Sequence, residues 1–185
     1  MRVLKIAVLL VIAIATTGCF KIEVVHRLHP YGATDTGAYR ISMNAFTYGV
    51  TQGDGSYAKL LRGLRSFSTP SMRVDDNGDV HIEDVSMLAS MEHAYDSYHC
   101  VNAPVAGYAD CRFVAQFDFK DVPGWAVDWT VVVPPEMVVL SSGHQRMRTN
   151  GLERTLMWHF DATTDRSGTI DFTIRTPRVA RQTGY

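Results

Sequence analysis

Residues 113–133 read FVAQFDFKDVPGWAVDWTVVV, and the period of this stretch decides the fold class. Phe113, Ala115, Phe117 and Phe119 alternate with Val114, Gln116 and Asp118. After an intervening turn, Val127, Trp129, Val131 and Val133 repeat at the same spacing of two. That spacing places alternate side chains on opposite faces of an extended chain, so each run reads as a half-buried strand. The pattern continues downstream. Met137–Leu140 is a short apolar run behind Pro134-Pro135, Leu156, Trp158 and Phe160 alternate with Met157 and His159, and Ile170, Phe172 and Ile174 alternate with Asp171, Thr173 and Arg175.

Upstream, Phe20, Ile22 and Val24 alternate with Lys21 and Glu23, and Tyr39, Ile41, Met43 and Ala45 alternate with Arg40, Ser42 and Asn44. Pro30-Tyr31-Gly32 and Asp35-Thr36-Gly37 separate these runs, which predicts an opening hairpin with a long loop. Asn77-Gly78 between Met72–Val74 and Val80–Ile82 is a second hairpin signal. Tyr57, Leu60, Leu61, Leu64 and Phe67 recur at helical spacing behind Asp54 or Ser56 as N-cap, with Lys59, Arg62 and Arg65 on the other side. A second helix is expected within residues 85–98, from Met87, Leu88, Met91, Tyr95 and Tyr98. Strands in consecutive runs with helices between them predict an α+β fold: a curved, mainly antiparallel sheet with one or two helices packed on one face.

The N-terminus has a different logic. Arg2 and Lys5 give a positive start, Ile6–Ala15 is an uncharged apolar run, and Thr16-Thr17-Gly18 leads into Cys19. The run is shorter than the ~20 apolar residues that span a bilayer, and the three-part layout is that of a signal peptide over residues 1–18. Thr16-Thr17-Gly18-Cys19 resembles the bacterial lipobox, with Thr16 where Leu is commonest. The resemblance implies cleavage before Cys19, a diacylglyceryl thioether on its sulfur and usually an acyl chain, such as palmitate, on its amine. Two or three chains hold a protein stably at a membrane. Phe20 rather than Asp follows Cys19, so in a Gram-negative host the sorting rule favours the outer membrane, facing the periplasm. The anchor is expected to be the lipid alone, because no later run is long enough to span.

The mature chain, residues 19–185, is expected to be one domain with a polar tail at 177–185. Loss of the leader removes Arg2 and Lys5 from the 18 basic side chains and none of the 19 acidic ones, leaving 16 against 19 and a net charge of −3. That mixed balance makes no electrostatic case for nucleic acid. With Cys19 used by the anchor, Cys100 and Cys111 remain as a pair, and the envelope permits disulfides. Their intervening VNAPVAGYAD reads as a loop, and a bridge closing it stabilises by roughly 3 kcal/mol. Ten intervening residues fit neither a Cys-x-x-Cys redox site nor a zinc knuckle.

Motifs that carry chemistry fail when examined closely. Counted from Asp75, Gly78 is fourth and Ser86 twelfth, which is not the calcium loop of an EF-hand. The seven histidines show no ligand spacing and are expected at the surface or at edges, so no metal or cofactor is predicted. Ser141-Ser142-Gly143-His144 is not a nucleophile elbow. The aromatic strands are more informative. Phe117, Trp129, Trp158 and Phe172, with Leu61 and Leu64 of the amphipathic helix, are expected to line an apolar ligand pocket beneath that helix. Two function classes follow: a lipid-anchored, non-catalytic domain binding a lipid or other apolar ligand, or an assembly module with a filled core acting through sheet edges or loops. A third, an envelope hydrolase, requires a cleft with convergent His and acidic groups.

Most of residues 19–176 resembles the LppM-type envelope lipoproteins. The carrying features are Gly18-Cys19 running directly into FKIEV, the hairpin into ISMNAF, and the C-terminal segments NGLERTLMWHF and SGTIDFTI. The resemblance implies a curved antiparallel sheet with helices and binding of lipid or another apolar envelope molecule. It brings no catalytic residues. Relatives of that type often continue into a C-terminal membrane helix, whereas TPRVARQTGY is polar.

Overall fold

The computed structural model describes residues 20–179 apart from 32, 34, 56, 59–60, 63–69, 85–94, 119–124 and 163. The predicted leader and Cys19 lie outside the described residues, as do Leu64 and the Met87–Met91 part of the second expected helix.

Among the described residues eleven strands run in the order β1 (Phe20–Arg27), β2 (Thr36–Met43), β3 (Ser71–Val74), β4 (Val80–Asp84), β5 (Ser97–Asn102), β6 (Tyr108–Asp118), β7 (Trp125–Val133), β8 (Val138–Ser142), β9 (Arg146–Asn150), β10 (Glu153–Asp161) and β11 (Ser167–Pro177). They form two sheets, a seven-stranded one in the order β3-β4-β2-β1-β7-β10-β9 and a four-stranded one in the order β5-β6-β11-β8. Every pairing is antiparallel except β1 with β7, which is parallel from Phe20↔Trp125 to Arg27↔Val132.

The expected α+β class is therefore corrected to mainly β. The physical reason is that the second sheet takes the place assigned to helices. Phe113, Ile170, Phe172 and Ile174 of the four-stranded sheet and Val24, Val127, Trp129 and Trp158 of the seven-stranded sheet belong to one buried cluster. Phe113 stacks on Phe172 at 4.7 Å between ring centroids, and Phe172 meets Trp158 at 5.8 Å across the interface. Each sheet buries the other's apolar face, so neither needs a helical layer.

Among the described residues one helix has defined ends, and it is not one of the two expected. Helix α1 spans Ala45–Gly53, capped by Asn44, whose Oδ1 accepts from the Thr47 amide at 2.8 Å. Its inner side is held by Tyr48, edge-on to buried Tyr57 at 5.1 Å. Of the expected Tyr57–Phe67 helix, Tyr57, Ala58, Leu61 and Arg62 are helical, and most of the remainder lies outside the described residues. Ser97 and Tyr98 belong to β5, not to a second helix.

The cysteine prediction holds in its pairing and changes in its setting. Cys100 and Cys111 form a disulfide, and they are direct cross-strand partners in the β5–β6 hairpin rather than the ends of a loop. The histidine expectation is overturned at His26, which is fully buried. Its Nε2 lies 2.8 Å from Asp35 Oδ2 and its Nδ1 2.8 Å from the Tyr95 hydroxyl, which accepts from Trp129 Nε1 at 3.3 Å. One sense satisfies every donor: Trp129 N–H to Tyr95 oxygen, Tyr95 O–H to Nδ1, and Nε2–H to the Asp35 carboxylate. Burial pushes the Tyr95 hydroxyl far above its ordinary value and keeps it a neutral donor. The chain of bonds ties the segment ahead of β5 to the centre of the sandwich.

Candidate functional site

The outer face of the seven-stranded sheet, turned away from the four-stranded one, is hollowed into an open groove of about 790 Å³. Strand register organises its lining into rows. Glu83, Arg40, Glu23, Asp128 and His159 are successive partners across β4, β2, β1, β7 and β10. The next row contains Ala38, Val25, Thr130, Met157 and Arg146 across β2, β1, β7, β10 and β9. Strands lie ~4.8 Å apart, so this second row is about 19 Å long. All ten side chains line the groove.

The first row is charged and self-satisfied. Arg40 Nε donates to Glu83 at 3.1 Å. Lys21 Nζ bridges Glu23 at 2.7 Å and Asp128 at 2.8 Å, and His159 Nδ1 lies 2.6 Å from the other Asp128 oxygen. Partial burial raises the Asp128 pKa, but its bonds to Lys21 and His159 outweigh that and hold the carboxyl below its ordinary range. The same bonds to Asp128 and Glu23 raise Lys21. His159 and Asp128 form a histidine–carboxylate pair in an open cleft, the base-and-orienter half of a hydrolytic arrangement. Among the described residues no hydroxyl or thiol is hydrogen-bonded to that ring.

The second row is apolar along most of its length and ends in a cation. Val25 is 42% exposed, an unusual state for a strand residue at the centre of a sheet. Arg146 on edge strand β9 has no acidic partner among the described residues. Arg148, two residues on, projects to the same face opposite Thr155.

Of the residues predicted to form an apolar pocket, Trp158 also borders this groove, whereas Leu61, Phe117, Trp129 and Phe172 are not among its lining residues. Trp129, Trp158 and Phe172 are buried between the sheets, and Phe117 is half-buried 6.0 Å from Trp129 and from Phe160. Leu61 packs on the margin of the core. The structure thus brings Phe117 to Trp129 and Trp158 to Phe172, but their side chains face the sandwich interior while the groove opens on the other face. Sequence reasoning missed Val25, Ala38, Arg146 and Met157. Their common row exists only once five strands are in register. Among the described residues no group of three or more His, Cys, Asp or Glu side chains could hold a metal ion, and no helix is long and apolar enough to cross a membrane.

No protein-family model matches the chain, and no curated protein sequence does. Solved structures do show similarity. The chain resembles the folded domain of the Mycobacterium tuberculosis LppM protein, known from NMR, with 13% identity, 92% of this chain and 96% of that one covered, and a TM-score of 0.46. Two homology models of the full-length AP-3 complex, in intermediate open and stretched open conformations, match at 11% and 10% identity over 90% and 96% of this chain, with TM-scores of 0.33 and 0.32. The chain spans 54% and 57% of those two chains.

Proposed function

We infer that this chain is a membrane-anchored envelope lipoprotein whose domain binds an elongated amphiphile, a lipid or lipid-like molecule with an anionic head, along the outer groove. One observation carries the reading: the largely apolar row Ala38, Val25, Thr130, Met157 runs into Arg146, whose guanidinium has no acidic partner among the described residues. An acyl chain laid across the strands covers the apolar row, and its acidic head reaches Arg146, where a bidentate, charge-assisted contact forms. The neighbouring charged row is paired internally, so it offers a polar wall at no unpaired cost. The leader and Cys19 support the envelope location.

Fluorescence titration of the purified protein with cis-parinaric acid tests this. Wild type binds, Met157→Glu weakens binding by roughly tenfold or more through loss of apolar contact and a like charge beside the head, and Arg146→Ala weakens it less. A wild-type protein that leaves the probe unbound removes the reading. Equal affinity in all three proteins places the probe outside the groove and removes it as well.

A second reading, an assembly module, is favoured by β3. This edge strand is exposed throughout, with Met72 and Val74 each 53% accessible, and an open edge accepts a partner strand. Photocrosslinking from residue 73 in cells, repeated with a proline at residue 72, whose N–H faces away from β4, tests it. No crosslinked product, or one the proline leaves unchanged, eliminates strand addition.

A further inference from the structure

We propose that helix α1 lies on the lipid bilayer, with Phe46 and Val50 inserted among the acyl chains beside the point where the anchor enters the fold. The inference rests on the lipoprotein reading for its anchor and on the helix for its contact.

Among the described residues nothing covers one apolar face of the helix. Phe46 is 74% exposed and Val50 52%. With exposed Gly49 and Gly53 they fall at positions three, four and seven apart, a single helical stripe. A Cβ built on either glycine meets nothing within 4 Å, so the stripe stays open along its length. AFTYGVTQG contains no charged residue, and neither end of the helix carries one in its terminal turn. A face of this composition loses little by leaving water and gains by covering Phe46 and Val50.

Its position identifies what covers it. Met43, the last residue of β2, is the register partner of Phe20, the first residue of β1. Asn44 caps the helix immediately after Met43, so α1 leaves the sheet at the end where the chain enters it. Cys19 is one peptide bond from Phe20, and the acyl chains it is predicted to carry therefore enter the membrane at this end. The row Val74, Val80, Met43, Phe20, Trp125 runs along the same end of the sheet, and it brings exposed Val74 there too. A bilayer held at Phe20 by the anchor meets α1 without any further tether. The acidic turn Asp75–Asp79 adjoins the start of the helix through Asp79 Oδ1, which accepts from the Ala45 amide at 3.2 Å. Carboxylates beside the stripe mean that anionic lipid adds nothing to the contact.

The test uses the full chain, expressed with its leader, purified from membranes and reconstituted in phosphatidylcholine vesicles with brominated acyl chains. Phe46→Trp is expected to add blue-shifted emission that the bromines quench beyond the wild-type background, and Val50→Glu in the same chain is expected to abolish the added quenching. Replacing part of the phosphatidylcholine with phosphatidylglycerol is expected to leave the quenching no stronger. The mass of the N-terminal peptide reads acylation of Cys19 separately. An acylated Cys19 with an unquenched residue 46 overturns the docking and leaves the anchor standing. An unacylated Cys19 with a quenched residue 46 overturns the anchor and leaves the docking standing. Quenching that requires phosphatidylglycerol also overturns the proposal, because the stripe has no charge to account for it.

Discussion

The ring of Phe160 rests on the backbone of Gly168: a Cβ added at residue 168 would lie 2.6 Å from Phe160 Cδ1 and 2.7 Å from Cγ. Phe160 belongs to β10 and Gly168 to β11, so the contact joins the two sheets where only a residue without a side chain fits.

Gly168→Ala is expected to destabilise the domain by about 1–2 kcal/mol. The overpacked methyl costs ~1–3 kcal/mol, and the stiffer unfolded chain returns at most ~1 kcal/mol. Urea unfolding should show a lower midpoint with an unchanged slope. An unchanged midpoint would mean that the two sheets separate freely at this point.

Breaking the Cys100–Cys111 bridge, with alanine at both positions, is expected to cost about 3 kcal/mol through the freed unfolded state. Thermal melts with and without reductant check this. Reductant should lower the wild-type transition to that of the double variant and leave the variant unmoved.

Trp129 and Trp158 are direct partners between β7 and β10, yet their indole N–H groups differ. Trp129 donates to Tyr95, whereas buried Trp158 Nε1 has no acceptor among the described residues. Phenylalanine removes the same volume at both sites. At Trp158 it also removes an unpaired buried donor worth ~1–3 kcal/mol, and at Trp129 it breaks the chain that ends on His26 and Asp35. Trp158→Phe should therefore melt clearly above Trp129→Phe, and coincident melts would refute the difference in pairing.

Acid stability follows from the outer face of the four-stranded sheet. Arg175 holds Asp110 with two bonds of 2.7 and 2.8 Å, and Arg112 holds Asp171 from the diagonal position. Each arginine lowers its partner's carboxyl pKa. A group depressed in the folded state contributes stability above its unfolded pKa and loses it as pH falls through the folded one. Stability should therefore hold down to about pH 4 and fall below it. Asp110→Asn should flatten that acid limb in denaturant titrations from pH 6 to pH 2, and an unaltered limb would show that the pair is not coupled to folding.

Most of the sandwich interior was legible in the order of residues, because strand burial has a local signature. Phe113, Trp129, Trp158 and Phe172 point inward as their period of two requires. The layer that covers them was not legible. Alternation shows that a face is buried but not what buries it, so strands that divide into two facing sheets were assigned to one sheet and its cover to helices. Helix α1 was hidden because AFTYGVTQG carries one interior glycine, Gly49, one terminal glycine, Gly53, and β-favouring Thr, Tyr and Val. The Asn44 cap and the contact of Tyr48 with Tyr57 make it helical. His26 was misplaced for a related reason, since its partners are nine and sixty-nine residues away. The groove depends on register across five strands, which no single segment encodes.

The parallel union of β1 with β7 has a mechanical consequence. β1 starts the described chain and yet lies inside the sheet, bonded along its whole length to β2 on one side and β7 on the other. Tension applied at Phe20 acts along the strand and loads both ladders in shear, so many hydrogen bonds must yield together. An edge strand pulled from its end would peel one bond at a time. A strand gripped on both sides in this way resists being drawn out by force applied at its first residue.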